Sequence, residues 1–262
     1  MKKLALTLSI LLLAPVIALA QSAFDGTWKV DLGKAQMPKK PNVFLLQYGR
    51  YQCKSCVPPI DIKADGQDHQ VTGSPYIDTA SVTVVDDHTI EETDKKGAKT
   101  VGTSKTVVAP DGKMATFEFS DSSATTGDPV TGKGEMTRVA AGPVGSHAIS
   151  GSWRASKMEN ISDNGITITY KVEGDTLNMS SPTGQSYSAK MDGTEAPFKG
   201  DPGTTAVSVK RTGKNAFEET DKRDGKVTTV VRASVDPDGK TMHFAVSDKL
   251  RGTSVQYVAQ KQ

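Results

Sequence analysis

Cysteine is nearly missing from this chain: Cys53 and Cys56 are the only two in 262 residues. A structural zinc needs a second pair of good ligands. None is offered, because His69, His88, His147 and His243 are scattered. Aromatic residues are also scarce, with seven Phe, six Tyr and two Trp, so any internal cavity should be modest and lined mostly by aliphatic side chains. Helical periodicity is almost absent. So are the catalytic signatures G-x-S-x-G and H-E-x-x-H and any glycine-rich phosphate loop. The chain is therefore read as non-enzymatic, with no cofactor and no metal.

A charge of one sign is lacking too, once the N-terminus is considered. Lys2 and Lys3 precede an apolar run from Leu4 to Ile17, and Ala18-Leu19-Ala20 forms an A-x-A cleavage site. That order reads as a signal peptide, residues 1–20, with Gln21 the first mature residue. The run is short for a bilayer span. A periplasmic or secreted bacterial protein is expected, with no membrane span after cleavage. Removing the two leader lysines brings the 32 basic residues level with the 30 acidic ones. No basic field then remains to hold a nucleic-acid backbone by counterion release.

What is present is alternation. Ile166, Ile168, Tyr170 and Val172 lie on one side of a predicted strand, with Thr167, Thr169 and Lys171 on the other. Ala115, Phe117 and Phe119 repeat the pattern, as do Met242, Phe244 and Val246. Period-two alternation marks strands with one buried and one wet face. Turn signals such as Asp192-Gly193, Asp224-Gly225 and Asp238-Gly239 recur about every ten residues, as expected for consecutive hairpins.

The pattern occurs twice. Glu91-Glu92-Thr93-Asp94-Lys95 returns as Glu218-Glu219-Thr220-Asp221-Lys222, and Pro110-Asp111-Gly112-Lys113 as Pro237-Asp238-Gly239-Lys240, both at an offset of 127. A constant offset over a long stretch indicates duplicated units. The expected organisation is an all-β chain of two tandem antiparallel up-and-down meanders, barrels or half-barrels, with eight or nine strands each. The first spans residues 21–139, a short Gly/Pro linker covers 140–148, and the second spans 149–262.

Each unit opens alike, with Phe24-Asp25-Gly26-Thr27-Trp28 and Ile149-Ser150-Gly151-Ser152-Trp153. A Trp at the mouth of a first strand can plug one barrel end while its N–H finds a backbone acceptor. A G-x-W opening before an antiparallel meander resembles the calycins, that is the lipocalins and fatty-acid-binding proteins. Thr137-Arg138-Val139 resembles the closing strand of the latter. The whole chain is also similar to two-repeat secreted bacterial proteins that begin F-x-G-T-W. The resemblance implies barrels that hold a small apolar or amphipathic ligand, and a cation–π contact of Arg138 over Trp28. The second unit departs from it, since Gln256 stands where Arg138 would be.

Three further sets of residues are singled out. Cys53-Lys54-Ser55-Cys56 lies in a segment, residues 41–59, that the repeat lacks. A redox helix is opposed by Pro58-Pro59, and haem attachment by Val57 in place of His. A small disulfide ring suits an exported protein best. Phe44, Leu46, Tyr48 and Tyr51 in the same segment form a candidate ligand or partner patch, either a flap over a barrel mouth or a docking surface for an envelope protein. Glu92, Lys105, Glu219 and Arg232 are candidate internal charges. Glu219 shares a face with Phe217, two residues away, but Arg232 falls on the wet face of Val231, Ala233 and Val235. A solvated ion pair is the plainer reading of each carboxylate and its cation. Asp65 to His69 and Asp236 to Gly239 are read as turns rather than metal loops. Neither a particular ligand or partner nor an oligomeric state is specified.

Overall fold

A computed structural model describes residues 22–262; the expected signal peptide, residues 1–20, and Gln21 lie outside the described residues. The chain is all-β. A short strand, β1 (Gly26–Val30), is followed by nine more: β2 (Asn42–Gln47), β3 (Arg50–Cys53), β4 (Ile60–Lys63), β5 (His69–Gln70), β6 (Thr79–Asp86), β7 (Thr89–Lys96), β8 (Lys99–Val108), β9 (Met114–Asp121) and β10 (Val130–Ala141). A long strand, β11 (Gly151–Ile161), and one helical turn (Asp163–Ile166) lead into the second half. That half contains β12 (Thr167–Glu173), β13 (Thr176–Ser180), β14 (Ser186–Lys190), β15 (Asp192–Pro197), β16 (Ala206–Gly213), β17 (Ala216–Arg223), β18 (Lys226–Val235), β19 (Thr241–Asp248) and β20 (Thr253–Lys261). Among the described residues no helix is long and apolar enough to cross a membrane.

These strands form two nearly closed antiparallel barrels of ten strands each, rather than eight or nine. Neighbours in sequence are neighbours in space throughout, with one exchange. β1 pairs with β12 and β20, in the barrel built from the second half of the chain. The start of β11 pairs with β2 and thereby closes the barrel built from the first half. The sequential division at residues 139 and 149 is corrected accordingly: each unit lends its opening strand to the other.

The exchange has a local cause. Only a short connection separates β10 from β11, so the two zip into a hairpin with Arg138 opposite Trp153. Loop closure favours the short connection over a long one. β11 then occupies the place beside β10 that β1 would need. β1 is held instead by the second barrel, and the chain after it stays there for several residues. Asp31 N–H donates to Val258 O at 2.9 Å and Gln36 N–H to Gln256 O at 2.7 Å before the chain crosses to β2.

Each barrel has its own core. Trp153, Ile90, Ile149, Val82 and Tyr51 lie in the first, and Trp28, Phe24, Phe217, Leu177 and Met242 in the second. Both indoles are fully buried, and each donates its N–H to a carbonyl four residues back: Trp28 to Phe24 O at 2.8 Å, Trp153 to Ile149 O at 2.7 Å. The glycine two places before each Trp leaves room for close neighbours. A Cβ on Gly26 would lie 2.6 Å from Lys261 Cε, and one on Gly151 would lie 2.3 Å from the backbone Ala140 O and 3.0 Å from Arg138 Nη1. Both glycines also sit at φ +131°, a region open to glycine but not to other residues.

Candidate functional site: the two barrel interiors

Strand alternation places the repeated acids. On β17, Phe217, Glu219 and Asp221 share a face, and because Phe217 is a fully buried core residue that face points inward. Ile90, Glu92 and Asp94 do the same on β7. The neighbours decide how hard each acid is to ionise. Glu219 is opposed across the ladder by Val209 and Val231, so its carboxyl is buried in apolar surroundings and its pKa is raised, chiefly by lost hydration. Tyr187 donates its hydroxyl to Glu219 Oε2, and the hydroxyls of Tyr170 and Tyr257 face the same charge. Asp221 lies within hydrogen-bonding reach of Glu219; burial first, then the Glu219 charge, push it up to about 8. Its Oδ1 is buried without a donor among the described residues. The two acids must share a proton or repel.

Glu92 is opposed by Val82 and Ser104, and Ser104 Oγ donates to its Oε2 at 3.2 Å. Its pKa is also raised by burial, against hydrogen bonds from Tyr51 and Ser104 that favour the charged form. Asp94, beyond it, is raised to about 6 by burial and by the charges of Glu92 and Asp121.

Glu92 and Asp94 line one open cavity and Glu219 lines another. The first barrel holds about 580 Å³ lined by Glu92, Asp94, Asp121, Val57, Ile77 and Phe119, together with Arg251. The second holds about 440 Å³ around Glu219, Tyr170, Tyr257, Phe244 and Ile168. The mouths are shared reciprocally. Asp121 at the end of β9, with Ala124 and Thr125 from the turn between β9 and β10, lines the second cavity, whereas Arg251, from the turn between β19 and β20, lines the first. Thr126 N–H donates to Thr183 O at 2.9 Å and Lys40 Nζ to Arg251 O at 2.6 Å, tying the barrels together at these turns.

Of the candidate internal charges, the two cations lie outside, in solvated ion pairs. Lys105 pairs with the outward Glu91 at 3.1 Å and Arg232 with the outward Glu218 at 2.8 Å, both partly exposed. The alternation that turns Glu92 and Glu219 inward turns their neighbours Glu91 and Glu218 outward, and Lys105 and Arg232 stand directly opposite those neighbours. Solvated pairs of this kind contribute little.

The patch in residues 41–59 is corrected as an exposed surface, although Phe44 and Tyr51 do line a small cavity beside Glu92 and Asp94. This segment is neither a flap nor an insertion; it supplies β2 and β3 of the first barrel. Leu46 and Tyr51 are core residues, and Phe44 stacks on Tyr51 with ring centroids 6.3 Å apart. Tyr48 alone stands out, 95% exposed at the hairpin tip. Cys53 and Cys56 form a disulfide across the turn after β3, with Cα atoms 5.4 Å apart. That turn also caps β2, through Lys54 N–H to Val43 O and Val43 N–H to Ser55 Oγ.

The closing contact is likewise reassigned. Arg138 lies over Trp153, 4.1 Å from the ring centroid, and not over Trp28. Its guanidinium donates to Gly112 O, Ser150 O and Ala148 O. Over Trp28 the cation is Lys261, at 5.4 Å, which Trp28 faces directly across the ladder. Gln256 is therefore not the counterpart of Arg138. The counterpart, Lys261, falls five residues after Gln256. Asp94, Asp121, Asp221 and the three tyrosines were also missed. Extending the two-residue period from Phe217 through Glu219 to Asp221 would have found the acid pair, but nothing local brings Tyr170, Tyr187 and Tyr257 together.

Asp65 and His69 form a surface pair at 2.7 Å beside the first barrel's seam. Among the described residues no group of His, Cys, Asp and Glu is arranged to hold a metal ion. In comparison with known proteins, no family model matches the chain and no curated protein matches it.

Proposed function

We propose that this is an exported, non-catalytic carrier or sensor that holds a small amphipathic molecule inside one or both barrels, in the manner of the lipocalins and fatty-acid-binding proteins. The observation that carries the reading is the pair of cavities, about 580 and 440 Å³, each lined by both apolar and polar side chains, with a buried carboxyl group in each. Small-molecule sites have this construction and this range of volume. The indole-plugged barrel ends and the cations over Trp28 and Trp153 support the lipocalin comparison. The disulfide supports an oxidising compartment.

The alternative, an envelope docking module built on residues 41–59, loses its apolar surface, because Phe44, Leu46 and Tyr51 are spent on the first barrel. Native mass spectrometry of gently purified protein, joined to a thermal-shift screen of amphiphiles, tests the carrier reading. A co-purifying small molecule or amphiphile-induced stabilisation is expected; neither appearing would overturn it.

A further inference from the structure

The second cavity has a sign. Its charged lining residues are Glu219 and Asp121, and no lysine, arginine or histidine lines it. Glu219 is 6% exposed, and Asp221 stands behind it with a buried oxygen that no donor satisfies. Lipid carboxylates and phosphates are disfavoured here, since an anion would meet buried acid with no compensating cation. A hydrated divalent ion fits no better, because calcium takes six to eight oxygen ligands and aromatic rings fill much of the wall. Tyr170, Tyr257 and Phe244 present those rings around Glu219, with Phe244 and Tyr257 stacked at 5.0 Å. Aromatic faces beside a carboxylate stabilise an organic cation, through the ring quadrupole and through charge pairing.

Resting on the carrier reading, we infer that the second barrel selects a cationic amphiphile, with its amine or quaternary ammonium head against Glu219 and the rings of Tyr170, Phe244 and Tyr257, and its apolar tail along Ile168 and Val231. Such a head supplies the positive charge that the Glu219–Asp221 pair lacks. The first cavity differs in having Arg251 among its lining residues, so the assignment is to the second alone.

The test compares octyltrimethylammonium, octanol and octanoate, which share a tail, by calorimetric titration of the full mature chain. The ammonium should bind about tenfold more tightly than the alcohol, with octanoate weakest. Glu219→Gln should remove that advantage, with a native far-UV circular dichroism spectrum and a cooperative thermal transition reporting an intact barrel. Tyr257→Leu, which spares the acids, should lower ammonium affinity about threefold; it serves as the deciding variant if Glu219→Gln does not fold. Equal affinity for ammonium and alcohol would overturn the inference while leaving the carrier reading standing. So would an ammonium preference that survives both substitutions. No binding of any of the three would overturn the carrier reading itself, and this inference with it.

Discussion

Across the ladder from Glu92 the first barrel places Ser104 and Val82, whereas across from Glu219 the second places Val231 and Val209. Each acid receives a tyrosine hydroxyl, from Tyr51 in the first barrel and Tyr187 in the second, but only Glu92 also receives one from its neighbour across the ladder, Ser104. The second acid after it follows suit, with Asp94 raised to about 6 and Asp221 to about 8. The barrels differ likewise in how they hold the turn after their third strand. The first uses the Cys53–Cys56 disulfide. The second uses Ser181, Thr183 and Gln185 hydrogen-bonded to one another and to Ala124 O of the other barrel. Their seams differ too. Ser186 and Lys199 exchange two backbone hydrogen bonds beside β14 and β15, while β4 and β5 lie together without a shared ladder. A duplicated framework thus tolerates different solutions wherever a local group can replace another with the same bonding capacity.

The widest contrast to test is which barrel each indole supports. Trp28→Ala should cost about 3–5 kcal/mol, as for other buried Trp truncations. Hydrogen exchange should show the lost protection in β12–β20 rather than in β2–β10, and the reverse for Trp153→Ala. Loss confined to each Trp's own half of the sequence would refute the exchanged strands.

The acids come next. A carboxyl whose folded pKa lies above its unfolded value binds more protons when folded, so stability is greatest below the unfolded pKa and falls as pH rises towards the folded one. For Asp221 the window runs from about 4 to about 8, and the loss should reach about 5 kcal/mol. For Asp94 it closes near pH 6. Denaturant titrations across this range should therefore show Asp221→Asn stabilising the protein at pH 8 more than Asp94→Asn does. Equal effects would erase the difference between the two interiors.

Opening the disulfide should affect the first barrel alone. By loop-closure entropy for so short a ring, Cys53→Ser with Cys56→Ser should cost about 2 kcal/mol, read from urea midpoints and from exchange in β2–β4. Smallest of all, Lys105→Ala and Arg232→Ala should each change stability by no more than about 0.5 kcal/mol, because their pairs with Glu91 and Glu218 are solvated. A loss above about 2 kcal/mol in either case would show that the cation is not where the structure places it.

Period-two alternation, turn spacing and the repeated offset determined, by themselves, that the chain is all-β and double and that Glu219 lies on the face of Phe217. These are consequences of neighbours within a strand or hairpin, where geometry allows only two faces. Which strand closes which barrel was decided elsewhere. The local zipping of β10 with β11 displaces β1 across to β20, and no residue in β1 records that competition. The same holds for the cavities. Glu219 and Tyr187 are 32 residues apart, and Asp121 reaches the other barrel's interior across a shared mouth. Contacts between distant segments depend on how two curved sheets close, and the closing is a property of the whole chain.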